Sequence, residues 1–545
     1  MSGAGRGAAE ASALPRIRPV SAAQIRAMLA DGGELALLDV REAQVFSESH
    51  LLHARSAPLS RLELRAPLLV PRRAARIVLV DDGDGLGARA AQVLQRHGYT
   101  DLSVLEGGIR AWSEAGYVLF SGFNVPSKAF GELVEHAGAT PNIDAAALKR
   151  MLDSGEDMVI LDSRPFDEFS RMSIPKALNV PGAELVLRIA DLAPSPRTTV
   201  IVNCAGRTRS IIGAQSLIDA GVPNKVMALR NGTMGWKLAG FTLDHGSDRR
   251  PPLASPSGRA LAFSKSAAEG VARRCGVGRA DLGMLARWRS EANRTTYLFD
   301  VRDPREYEAG HLPGAVSAPG GQLVQATDQY AGTLNSRMVL VDDLEVRALM
   351  TGAWLRQMGW KEVFVLAASG TETGRPAAPV LGQAERPDAR LDPPALAAMI
   401  AERAATVIDL ALSREYRKGH IPGAWFAIRS RLARAVNGVE LLGTVVLTSE
   451  DGVLAALALD EMRALTKVPV RYLGGGNAAW TASGRAPPAA EPRPADEAVD
   501  GRLKPHDRRA GQQEAEEEHL AWEIDLLPRI ERDGTSSFRP LSGSR

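Results

Sequence analysis

Cysteine is nearly absent from this chain: Cys204 and Cys275 are the only two in 545 residues. A disulfide-stapled scaffold is thereby excluded, and the scarcity fits a reducing compartment, where a retained thiol is either buried or reactive. Long apolar runs are missing as well. No stretch approaches the roughly 18 uncharged apolar residues of a membrane-spanning helix. The N-terminal segment MSGAGRGAAEASALPRIRPV lacks the apolar core of a secretion signal. Neither sign of charge dominates: 66 Lys and Arg stand against 64 Asp and Glu, a formal net charge of +2, which argues against a general nucleic-acid footprint. These absences lead to the expectation of a soluble, cytoplasmic protein with no nucleic-acid and no membrane partner.

What is present is ample for folding. Apolar residues make up 45% of the chain, enough for packed cores. At about 100 to 200 residues per domain the length implies about three to five domains. One block then recurs four times: an amphipathic helix, a short apolar strand ending in Asp, a charged helical turn and a small-residue loop. It reads LALLDVREAQVF at 35–46, MVILDSRPFDEF at 158–169, YLFDVRDPREY at 297–307 and TVIDLALSREY at 406–416. About ten residues on come HLLHARSAP, MSIPKALNVP, GHLPGAVSAP and GHIPGAWFAI. A second β-branched run follows in each: RIVLVDD at 76–82, TVIVNCA at 199–205, MVLVDD at 338–343 and TVVLTSE at 444–450. Three repeats close on Gly-x-x-x-Trp, at Gly108–Trp112, Gly232–Trp236 and Gly476–Trp480.

Apolar runs of four to five residues bounded by turn signals read as strands buried on both faces. Alternating with helices, they predict parallel α/β units with right-handed crossovers. The expected domains lie near 15–120, 138–246, 255–370 and 385–485, joined by Pro- and Gly-rich linkers at 247–258 and 371–388. Residues 120–138 carry apolar spacing that predicts an ordered connector packing the first two domains together. The tail, 486–545, opens as a Pro, Ala and charge-rich segment expected to be flexible. Its later part predicts a helix at 512–530 that docks on its own chain or serves a dimer contact.

With the repeats laid out, the sequence resembles the rhodanese superfamily of sulfurtransferases. The residues that carry the resemblance are Asp162-Ser-Arg164 after a strand, Ser173-Ile-Pro175 with Asn179-Val-Pro181, and the loop Cys204-Ala205-Gly206-Arg207-Thr208-Arg209-Ser210. Asp39-Val-Arg41, Asp300-Val-Arg302 and the Gly-His-Leu/Ile-Pro-Gly-Ala stretches at 310–315 and 419–424 match the same family. The resemblance implies an α/β fold of tandem rhodanese-like domains, each a doubly wound, mostly parallel five-stranded sheet flanked by helices. It also implies transfer of sulfane sulfur through a cysteine persulfide, from thiosulfate or a related small anionic donor to a thiol or cyanide. No metal and no cofactor are expected. A persulfide-carrier or sulfur-sensing scaffold acting with a protein partner is the alternative, suggested by the surplus of domains.

Cys204 is the expected nucleophile. It follows the strand run TVIVN and precedes a helical run from Ser210, and ligands of open parallel sheets bind beyond the carboxyl ends of the strands. The amides of residues 205–210 and the positive end of the following helix are expected to surround the sulfur, with Arg207 and Arg209 adding fixed cations. All three influences favour thiolate over thiol, and the thiolate is the nucleophile. Substrate binding is therefore assigned to Ala205, Gly206, Arg207, Thr208, Arg209 and Ser210, with Asp162 and Arg164 in support. From Cys204 to Arg209 the loop is six residues, the size the resemblance associates with sulfur rather than phosphate transfer. The equivalent of Cys204 falls on Asp81, Asp342 and approximately Ser449, so the other three repeats are expected to be silent. Gly98, Gly221 and Gly359 each lie 17 residues past that position, which fixes the alignment of the first three. Cys275, inside a helix, is expected to be a structural thiol.

Overall fold

The computed structural model describes residues 17–382, 385–485, 491–501 and 511–541. Each repeat folds around its own parallel sheet. In the second, the spatial order of strands is Asn142–Ile143, Val226–Leu229, Thr199–Asn203, Met158–Asp162 and Leu178–Asn179, every pair parallel. The two inner strands are rich in Val and Ile and run in register from Met158↔Thr199 to Asp162↔Asn203, so both end at one edge of the sheet. After Met158–Asp162 the chain steps outward to Leu178–Asn179; after Thr199–Asn203 it steps the other way, to Val226–Leu229. The reversal creates a switch point between the two strands, the place where doubly wound sheets bind ligands. Residue 204 is the first beyond it.

The third sheet repeats this order with five strands, whereas the first and fourth have six. The expectation of five is corrected there for two different reasons. In the first sheet, Thr333–Leu334 from the third repeat pairs antiparallel with Leu35–Ala36. In the fourth, Arg493–Pro494 pairs with Trp425–Phe426. Each addition covers an edge that would otherwise offer unpaired backbone groups. The second addition also revises the reading of the tail as flexible from 486: residues 491–501 lie along the fourth domain, while 486–490 and 502–510 fall outside the described residues.

Packing between repeats is extensive. The second and third share one apolar core, in which Leu185, Val200 and Leu217 meet Val271, Leu340 and Trp354. The Trp354 indole donates across that boundary to Ser216 Oγ at 2.8 Å. The connector forms the helix Val125–Gly138, which lies against the helix Thr208–Asp219 and the tail helix Gln512–Asp533. Gly131 makes that approach possible, since a Cβ there would stand 2.8 Å from Thr208 Cγ2. The linker near 371–388 is also anchored: Leu381, 3% exposed, enters the core of the first domain, and its amide donates to Glu63 O.

Candidate active site

Cys204 is 2% exposed and sits between the end of Thr199–Asn203 and the start of Thr208–Asp219. The first-turn amides of that helix have no intrahelical acceptor. The loop is tied down from outside. Cys204 O accepts from Thr233 N at 2.8 Å and Thr233 Oγ1 at 3.0 Å, and Ala205 O accepts from Met234 N. Gly232 must be glycine here: its φ is +53°, and any Cβ would collide with the Cys204 carbonyl. The thiol donates to Ser210 Oγ at 3.4 Å, and that hydroxyl donates to Arg207 O at 2.8 Å.

The two loop arginines part company. Arg209 Nη2 pairs with Glu168 Oε2 at 2.8 Å. Burial works against its charge, but Glu168 foremost, with Cys204 and Asp162, outweighs burial and raises its pKa. Arg207 points away. Its guanidinium is held by Glu132 at 2.7 Å and by Glu135, both on the connector helix, and by Asn231. Sequence adjacency placed both cations at the sulfur; the fold turns Arg207 to the connector helix and pairs Arg209 with Glu168. Asp162 and Arg164 form a buried pair at 2.7 Å, and Arg164 also donates to Met172 O, so they brace the loop below the site. Asn203, missed in the sequence, joins this brace by donating to Asp162 Oδ2 at 2.8 Å.

The same position in the other repeats is filled. Asp81 Oδ2 accepts from Gly87 N at 2.8 Å and Asp81 Oδ1 from Gly83 N at 2.9 Å. Asp342 Oδ2 accepts from Arg347 N at 2.8 Å and Ala348 N at 3.2 Å, while its other oxygen takes the Arg347 guanidinium. Ser449 Oγ accepts from Ala455 N at 3.3 Å. Gly87, Ala348 and Ala455 each lie six residues on, as Ser210 does from Cys204. The Asp81, Cys204 and Ser449 carbonyls accept from Ile109, Thr233 and Asn477 amides alike. The loose fourth alignment is therefore structurally sound. In three domains a side-chain oxygen occupies the amide cradle; in one, a sulfur stands at its edge.

The rhodanese-like domain model matches the chain four times, at residues 21–115, 144–239, 284–372 and 392–483. The chain belongs to the rhodanese-like family. Its fold superposes on a thiosulfate sulfurtransferase from Pseudomonas aeruginosa with a TM-score of 0.92 and 48% identity, covering 96% of this chain and 100% of that one. A sulfurtransferase of Allochromatium vinosum is 29% identical over 101 residues, 18% of this chain and 92% of the relative. The HTH-type transcriptional regulator Rv0324 of Mycobacterium tuberculosis is 31% identical over 105 residues, 19% of this chain and 45% of the relative. The chain thus spans about half the length of that last protein.

Within this rhodanese framework the tail helix has an unforeseen place: it lies over the Cys204 loop. A Cβ on Gly206 would meet Met234 Cε at 3.1 Å, Glu523 Oε2 at 3.4 Å and Leu520 Cδ2 at 3.7 Å. Glu523 pairs with Lys128 at 3.0 Å, and Glu516 with Lys237 at 3.0 Å. Of the expected loop residues, Gly206 lies under the tail helix and Thr208 under the connector helix. Cys275 lies half-buried, and burial first of all pushes its thiol up to about 11, as suits an inert residue. His311 and His420 stack on Tyr307 and Tyr416 and bond the Tyr307 and Tyr416 carbonyls at 2.9 Å, which orders their loops. Among the described residues no helix is long and apolar enough to cross a membrane.

Proposed function

We propose that this chain is a sulfurtransferase in which Cys204 is the reacting group, moving sulfane sulfur from thiosulfate or a related donor to a thiol or cyanide. One observation carries the reading: of four equivalent loops, three fill the anion cradle with their own Asp or Ser oxygen, and the fourth presents a thiol. The Cys204 thiolate attacks the outer sulfur of thiosulfate. A new S–S bond forms, the S–S bond of the donor breaks, and sulfite leaves with its electron pair. The persulfide anion then rests among the amides of residues 205–210, where an oxyanion-type cradle stabilises it without reorganising. Cyanide takes the outer sulfur as thiocyanate and returns the bonding pair to Cys204 Sγ. The two half-reactions imply ping-pong kinetics.

Intact-mass measurement after thiosulfate, then after cyanide, on wild type and Cys204→Ala tests this. The expected result is a reversible gain of one sulfur atom confined to the wild type. An adduct that persists in Cys204→Ala overturns it.

A persulfide-carrier role with a protein partner is the second reading, favoured by the burial of the thiol beneath the tail helix. A stable complex lost on removal of 486–545 supports it. Turnover at ordinary enzyme rates, about 1–1000 per second, without any partner counts against it.

A further inference from the structure

Among the described residues, the cations at the mouth of the Cys204 loop are paired with carboxylates. Four of them are engaged in this way. Arg207 is held by Glu132 and Glu135, Arg209 by Glu168, Lys128 by Glu523 and Lys237 by Glu516. Two of the carboxylates come from the tail helix, outside all four rhodanese repeats. Residues 516, 520 and 523 share one helical face by their spacing, and Leu520 and Glu523 of that face lie against Gly206.

Glu523 is the residue best placed to act. Its side chain is 5% exposed. Burial pushes its carboxyl up, but Lys128 and His519 outweigh that and hold it down at about 2, so it is charged at any working pH. Oε1 takes Lys128, with His519 at 3.4 Å. Oε2, the oxygen beside Gly206, has no hydrogen-bond partner among the described residues, nor does Glu516 Oε2. A buried carboxylate oxygen without a donor is costly, and it is the kind of acceptor that a ligand's N–H or ammonium satisfies.

We propose that Glu523 sets the charge specificity of the Cys204 site, accepting from an ammonium or N–H carried beside the sulfur of the acceptor thiol and disfavouring anionic reactants. This rests on Cys204 being the reacting group. The acceptor thiolate attacks the outer persulfide sulfur, the new S–S bond forms on the acceptor, and the old bond's electron pair returns to Cys204 Sγ. With the acceptor's cation held on Oε2, its thiolate lies over Gly206 and close to the cradle. Thiosulfate, which brings two negative charges and no hydrogen-bond donor, gains nothing from Glu523 and is repelled by it.

The two half-reactions of Glu523→Gln separate this from a merely structural role. Persulfide loading from thiosulfate and discharge to cysteamine or to 3-mercaptopropionate are followed by intact mass on the full chain. Loading is expected to quicken, and the preference for cysteamine over 3-mercaptopropionate to fall about tenfold, close to the scale of one well-solvated charge pair. Leu520→Ala, which loosens the helix but keeps the charge, is expected to speed both acceptors alike. Glu523→Gln that speeds discharge to cysteamine along with loading, or leaves the ratio unchanged, overturns the proposal. If no persulfide forms in any variant, the sulfur-transfer reading fails on its own. Alkylation of Cys204, mapped apart from Cys275, still reads the charge effect: the advantage of neutral iodoacetamide over anionic iodoacetate must shrink in Glu523→Gln.

Discussion

The loops after Thr199–Asn203 and Arg337–Val341 start from the same backbone plan and end with opposite properties. In the third domain Asp342 caps its own cradle: three amides and the Arg347 guanidinium converge on a carboxylate that is wholly buried. In the second domain no carboxylate among the described residues occupies the cradle, and the Cys204 thiol bonds the Ser210 hydroxyl at 3.4 Å. A loop of first-turn amides favours an anion wherever it occurs. A domain that supplies the anion from its own side chain gains stability and forgoes binding. One that leaves the cradle to an exchangeable sulfur keeps the capacity to react. On the proposed reading, the loops of Asp81, Asp342 and Ser449 are self-capped counterparts of the Cys204 loop.

The sharpest way to break that comparison is to delete the side chain on each side. Asp342→Ala is expected to destabilise the third domain by about 3–5 kcal/mol, the usual cost of removing one member of a buried charge pair. The value should sit toward the lower end, because Arg347 retains Glu184 at 3.0 Å and Glu306. Cys204→Ala should cost about 1 kcal/mol, as for a small buried group, while abolishing persulfide formation. Hydrogen exchange of the 337–366 and 199–229 amides measures both. Equal destabilisation by the two substitutions would show that the filled cradle is no stronger than the open one.

A second contrast separates the fourth domain from the others. Asp39, Asp162 and Asp300 pair with Arg41, Arg164 and Arg302 at 2.6–2.7 Å. Asp409 has Ala411 at that place and is left with the Ala411 amide and Asn477 Nδ2, both at 2.9 Å. Burial, the largest influence, pushes its carboxyl up to about 6. The ionised form is therefore the costly one in the folded state. Stability of the fourth domain should rise as the pH falls through 6 towards the unfolded value near 4, and be lost again as it rises, by about 3 kcal/mol over that window. Asp409→Asn should flatten the profile and make the domain more stable than the parent at pH 7.5. Amide exchange at 405–409 and 444–448 reads it directly.

Much of this was legible in the residues themselves. The four strand-end aspartates, the β-branched runs and the lone cysteine between a strand and a helix are local signals, and local spacing decides strand, turn and helix start. The partners of Arg207 were not legible. Glu132 and Glu135 precede it by more than 70 residues, and nothing in the loop shows which cation turns outward. Glu523 lies still farther off, in a tail whose predicted helix gave no sign of what it would cover. The sixth strands were missed for a related reason: Thr333–Leu334 and Arg493–Pro494 are too short to announce themselves, and a neighbouring sheet edge recruits them. Contacts across the fold decide the electrostatics of the mouth, whereas local pattern decides where the mouth is.

The smallest expected effect concerns the hydroxyl that distinguishes the open cradle. Ser210 Oγ donates to Arg207 O while accepting from the thiol. Once Cys204 is ionised the thiol proton is gone, and the hydroxyl can turn from the carbonyl to the sulfur. A hydrogen bond to a charged acceptor is worth about 1.5–3 kcal/mol, against about 1 kcal/mol for the neutral bond given up, so the net gain is near 1 kcal/mol. Ser210→Ala should accordingly slow alkylation of Cys204 by iodoacetamide about fivefold and slow persulfide loading by a similar factor. The fold should be preserved, since the carbonyl loses only one of its partners. An unchanged alkylation rate would mean that the hydroxyl stays on Arg207 O in both states. The cradle's amides, together with Arg209, would then stabilise the sulfur anion unaided, and the open loop would differ from Asp342's filled one in a single respect, the atom at its edge.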